Sequence, residues 1–116
     1  MSYKDLEVYK RSYSLSLEIH KFSMTLPKSL QYDLADQIRR ASRSVASNIA
    51  EAYARSKSSK DKINMLKISL GSNEEVLFNL SFLKDSELLS TDLFDKWYSE
   101  YTSNGKQLYR LIESLK

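Results

Sequence analysis

Two glycines and one proline are the only residues of their kind in 116 positions, and so few helix breakers confine the chain to long helices with short connections. One domain over residues 1–116 is expected, burying about two thirds of the surface that the unfolded chain would expose. The absence of cysteine excludes disulfides and thiolate chemistry, and a zinc site would depend on the single histidine and carboxylates. No metal and no cofactor are therefore expected. There is no run of 18 apolar residues, and the opening Met1-Ser2-Tyr3-Lys4-Asp5 is charged where a signal peptide would be apolar. A cytoplasmic protein without a membrane partner is the expectation.

Spacing and punctuation predict four helices. The first spans about residues 2–24, opened by a capping box at Ser2-x-x-Asp5, with Leu6, Tyr9, Tyr13, Leu17, His20 and Met24 at three- and four-residue steps and Val8, Leu15, Ile19 and Phe22 as a second apolar row. Pro27 ends it, and Ser29 is the expected cap of the next. The second helix carries Leu30, Leu34, Ile38, Ala41, Val45, Ile49 and Ala52 on one face and ends in the polar run from Arg55 to Lys60. Ser58-x-x-Asp61 starts a third, with Ile63, Leu66, Leu70, Asn73, Leu77 and Leu80 inward, ending near Asp85. The fourth spans about residues 92–115, with Phe94, Trp97, Tyr101, Leu108, Leu111 and Leu115 inward. Gly105 in its middle costs about 1 kcal/mol against alanine, so it marks a weak point or a close approach. Four such helices with short connections predict an all-α, antiparallel, up-down-up-down four-helix bundle.

Three features exceed what a core needs. At 100° per residue, the third helix is apolar almost all round, with Ile68, Glu75 and Phe82 on its back at seven-residue spacing. Either it is surrounded within the monomer, or Ile68 and Phe82 belong to an interface between copies of the chain. The second helix carries a polar seam of Gln37, Ser44, Asn48, Glu51 and Arg55, to which Glu75 of the third helix can be added. These side chains form buried pairs or a solvated flank. The region between residues 39 and 62 holds seven basic and two acidic residues. Arg39 and Arg43 are placed outward with Arg40 nearby, and Lys57, Lys60 and Lys62 follow, a set that suits phosphates.

The motif Gln37-Ile38-Arg39-Arg40-Ala41, followed by Ser44-Val45 and Asn48-Ile49-Ala50-Glu51, resembles the proteins encoded in intervening sequences of bacterial 23S ribosomal RNA genes, also called S23 ribosomal proteins. The likeness includes Asp5-Leu6-x-Val8-Tyr9, the Leu26-Pro27 turn, Tyr32, Leu34, Arg55, and Leu66 to Gly71-Ser72 with Glu75. The chain departs from that pattern at Ala52, where the family has glycine, at Lys62 and Met65, where it has aromatic residues, and at Asn73, where it has leucine. The resemblance implies an antiparallel four-helix bundle assembled as a homopentameric ring. It is similar, more distantly, to an accessory protein that works with a reverse transcriptase and nucleic acid.

Three function classes compete. A homo-oligomeric protein would bind RNA or nucleoprotein through the basic face, with salt-dependent affinity. A protein scaffold, for example for a nucleic-acid-handling polymerase, would keep its binding after charge removal. An enzyme would need a constellation that the chain lacks: helical ribonucleases of the HEPN type place an arginine a few residues before a histidine, whereas Arg11 is nine residues before His20. No nucleophile motif, glycine-rich phosphate loop or ligand cluster accompanies them, so no catalytic residue is expected.

Overall fold

The computed structural model describes residues 2–116. Four helices, α1 (Glu7–Ser23), α2 (Leu34–Ala54), α3 (Ser59–Asp85) and α4 (Thr91–Ser114), pack each against its sequence neighbours, and α1 closes the bundle against α4. The diagonal pairs α1/α3 and α2/α4 have no backbone contact, as an up-down-up-down order requires. The bundle measures 43 × 24 × 20 Å, its long axis set by α3. Among the described residues there is no strand, and no helix is long and apolar enough to cross a membrane.

The helix ends follow local chemistry, with two differences from expectation. Ser2 and Asp5 do form a capping box, but it closes a short 3-10 turn, Tyr3–Asp5, and extended Leu6 separates that turn from α1. Ser29 lies inside a second 3-10 turn, Lys28–Leu30, so it does not cap α2, which starts after Asp33 without a side-chain cap. Ser58 and Ser90 accept the backbone N–H groups of Asp61 and Leu93 at 3.1 and 3.2 Å and cap α3 and α4. At the end of α3, Glu87 takes the left-handed conformation, φ 61°, while its N–H reaches Lys84 O and that of Leu88 reaches Leu83 O, a Schellman closure.

Of the row predicted for α2, Ile38, Ala41, Val45, Ile49 and Ala52 are buried, while Leu34 is half-buried and Leu30 lies in the 3-10 turn before the helix. In α1 the second row forms the core instead of the first. Val8, Leu15 and Ile19 are buried together with Ser12, Ser16 and Ser23, while Tyr13, Leu17 and Met24 are half-exposed and His20 is exposed. Each of the three serines donates to a carbonyl of its own helix at 2.7 Å, so its hydroxyl is satisfied without bulk. The α1/α4 contact is the slightest of the four and is tied by polar bonds. Arg11 donates to Gln107 at 3.1 Å, and Glu18 accepts from Lys96 at 3.0 Å and Trp97 Nε1 at 3.1 Å. Burial works to raise the Glu18 carboxyl, but these two donors outweigh it and hold the group below its usual value.

A polar network crosses the core where the sequence row has Asn73. Asn104 Nδ2 donates to Ser12 Oγ at 2.8 Å and to Asn73 Oδ1 at 3.0 Å, and Asn73 Nδ2 donates to the Tyr101 carbonyl at 2.8 Å. All three side chains are fully buried. Gly105 marks a close approach here, since a Cβ on it would stand 3.1 Å from Asn73 Nδ2.

Candidate binding surfaces

The basic residues do not form one outward face. Arg39 lies one residue, about 100°, from buried Ile38, and that angle turns it toward α1 instead of solvent. Its Nε donates to Ser23 Oγ at 2.9 Å and its Nη2 to Gln31 Oε1 at 2.8 Å. Gln31 in turn donates to the carbonyls of Ser23 and Leu26, both at 2.9 Å. Arg39 therefore clamps the turn between α1 and α2, which corrects its placement among phosphate-facing groups. Replacing it with alanine is expected to lower stability by about 1–3 kcal/mol, the range for charge-assisted hydrogen bonds, whereas Arg43→Ala should stay within about 0.5 kcal/mol. Urea unfolding of the two variants checks this, and equal midpoints would contradict the clamp.

Arg40 and Arg43 are exposed, on opposite sides of α2's outer face. Arg40 lies 3.6 Å from Asp36, a surface pair of little energetic weight, and borders the α2/α3 groove. Arg43 borders the α1/α2 groove and has no hydrogen-bond or ion-pair partner among the described residues. The lysines lie at the far end of α2, about 17 Å along the helix from Arg43. There Lys57 and Lys60 are exposed, and Lys62 holds its ammonium 4.6 Å from the centre of the Tyr53 ring.

The predicted polar seam divides in the same manner. Ser44 and Ser72 share a hydrogen bond of 2.7 Å across α2 and α3, and Asn48 Nδ2 donates to the Ser44 carbonyl at 2.9 Å. Gln37, Glu51, Arg55 and Glu75 are exposed, and among the described residues neither Glu51 nor Glu75 has an ion pair. Of the two alternatives, Glu51 and Glu75 take the solvated flank in the protomer. Only the short side chains fit between the helices, while the longer ones at the same flank extend past the contact into solvent. Gln37, Arg40, Ser44, Ser72 and Glu75 line an open groove of about 430 Å³.

Two aromatic surfaces accompany these polar ones. On the outer face of α3, Ile68, Phe78 and Phe82 are 56%, 68% and 47% exposed, and the two phenylalanine rings lie 6.4 Å apart. Phe78 was not among the predicted face residues, although its place four residues before Phe82 marks it as a neighbour. Along α1, Tyr9 stacks between Tyr3, edge-on at 4.9 Å, and Tyr13, near-parallel at 5.9 Å and 20°. Burial first, then the phenols of Tyr3 and Tyr13, push the Tyr9 hydroxyl above its usual value, so the ring is neutral near pH 7. His20 is exposed on the α2 side of α1 while Arg11 bonds α4, so the two do not converge. Among the described residues no three His, Asp or Glu side chains are grouped to hold a metal ion.

Fold and surface define a small antiparallel four-helix bundle whose α1–α2 turn is clamped by an arginine and whose outer faces carry aromatic residues. The family model of the 23S rRNA-intervening sequence protein matches residues 4–110, and the chain belongs to that family. A solved structure of a protein with unknown function from the S23 ribosomal protein family of Bacteroides thetaiotaomicron has the same fold, with a TM-score of 0.82 at 24% identity. The match covers 91% of this chain and 95% of that one. No curated protein matches the chain.

Proposed function

We propose that the protein works by binding and not by catalysis, as a homo-oligomer that joins through the outer face of α3 and holds RNA or nucleoprotein on its basic surface. The observation that carries the assembly is the exposure of Ile68, Phe78 and Phe82 on one helix. Large aromatic side chains at the centre of a face, rimmed here by Gln37, Arg40 and Glu75, have the composition of a protein interface. A ring of five is the assembly that the resemblance implies. Repeating a modest basic surface around a ring multiplies the field that a polyanion meets, so a net charge of +3 per chain suffices.

With Arg39 used inside the fold, the basic surface consists of Arg40, Arg43, Lys57, Lys60 and Lys62. About four phosphate contacts per chain give a slope of log affinity against log salt near −3, or roughly sixty-fold weaker binding between about 50 and 200 mM salt. An anisotropy titration of a labelled single-stranded RNA should show this, and the Lys57→Gln, Lys60→Gln, Lys62→Gln variant should flatten the slope by about 2. A slope near zero, or one unchanged in the variant, would reject RNA binding by charge. The internal use of Arg39 and the pairing of Arg40 with Asp36 favour a second reading, a scaffold for a protein partner. It takes over if partner binding survives charge removal.

A further inference from the structure

The groove between α1 and α2 holds more than charge. One wall is formed by Tyr9 and Tyr13, with Tyr3 packed edge-on behind Tyr9, and the other is made of the small residues Ala46, Ser47 and Ala50, with Ser16 and Arg43 also lining the cleft. The small wall leaves an open cleft of about 330 Å³ beside the rings. Tyr9 is held on both sides, but Tyr13 is 50% exposed and ends the stack with a ring available to a further planar group. Arg43, unpaired among the described residues, lines the same cleft as Tyr13 and brings to it a planar guanidinium suited to a phosphate in bidentate fashion.

We propose that this groove is a binding site for single-stranded nucleic acid, in which an unpaired base stacks on Tyr13 while the adjoining phosphate is taken by Arg43. The ligand class rests on the RNA-binding reading given above; the stacking does not follow from it. A duplex keeps its bases inside, so a side chain can stack only on a base that is free, and aromatic stacking is tolerant of which base it meets. Antiparallel packing sets the start of α1 beside the end of α2, so a strand leaving Tyr13 past Tyr9 and Tyr3 runs toward Lys57, Lys60 and Lys62. That polarity, from an aromatic step to a lysine-rich turn, favours a polyanion over a proline-rich peptide, the other ligand that aromatic grooves accept.

The probe is an oligouridine with one central 2-aminopurine, whose fluorescence falls when the base stacks on an aromatic ring. The full-length protein should quench it on binding and should bind a duplex of equal length at least about tenfold more weakly. Tyr13→Leu should weaken single-strand binding by about 5- to 100-fold and abolish the quenching, while Tyr13→Phe should keep both. Tyr13 is half-exposed, so neither variant is expected to disturb folding, and sedimentation is followed alongside. If Tyr13→Leu binds and quenches as the wild type does while the triple lysine variant loses affinity, stacking is overturned and binding by charge remains. If the wild type binds no RNA, both fall. If Tyr13→Leu shifts sedimentation to smaller species, the ring is covered by another copy of the chain, which also overturns the site.

Discussion

Phe82→Asp should convert the proposed assembly of several chains to smaller species, down to the 13.5 kDa protomer, with little loss of helicity. Phe82 and Phe78 lie outside the bundle's own core, so a charge there does not disrupt the packing of Leu66, Val76, Leu80 and Leu83, all buried on the inner side of α3. In an interface the same charge would be desolvated without a partner, and aromatic residues at the centre of such faces contribute about 2 kcal/mol or more each. Spread over every repeated contact of an oligomer, that loss exceeds what micromolar protein can offset. Tyr109→Asp on α4 is the control, since Tyr109 is 58% exposed but on a different helix, and it should leave sedimentation unchanged. If Phe82→Asp sediments as the wild type does, another face carries the assembly.

The second large effect concerns stability. Asn104→Leu should destabilise the bundle by about 2–3 kcal/mol, because it removes the donor to Asn73 Oδ1 and leaves that acceptor buried without a partner, while Ser12 Oγ keeps only its bond to the Val8 carbonyl. For a chain of this size the melting temperature should fall by roughly 10 °C. Replacing Asn73 with leucine as well removes the stranded acceptor, so the double variant should cost less than the sum of the two single changes. One cost remains even then, the loss of the Asn73 bond to the Tyr101 carbonyl. Denaturant unfolding of the four proteins measures the coupling. Additive single changes, or a cost below about 1 kcal/mol for Asn104→Leu, would mean that the network holds nothing together.

The parts of the fold legible in the sequence are those where burial and hydropathy agree. The α2 row from Ile38 to Ala52 is apolar and buried at every step, and the cap at Ser58 uses the oxygen chemistry of a helix start. In α1 the two properties part. Ser12, Ser16 and Ser23 form the inner face because small satisfied hydroxyls allow close approach, while the larger Tyr13, Leu17 and Met24 remain outside. A hydropathy row cannot express that choice, which depends on the neighbouring helices. Arg39 shows the same limit for charge. The periodicity sets its angle, but only the approach of Ser23 and Gln31 after the Pro27 turn makes it an internal clamp. Tyr9 and Tyr13 are legible as a four-residue spacing in an apolar row, but the cleft that they share with Arg43 needs the antiparallel register of α1 and α2.

Native mass spectrometry of the full-length protein with an unlabelled oligouridine tests in one spectrum both the proposed assembly of copies of this chain and their proposed hold on single-stranded RNA. The expected spectrum is a single oligomer, a whole multiple of the 13.5 kDa chain, that shifts by the mass of bound RNA. The shift should be lost as ammonium acetate is raised several-fold, because the contacts are to phosphates. A spectrum of 13.5 kDa protomers carrying no RNA at any salt concentration would contradict it.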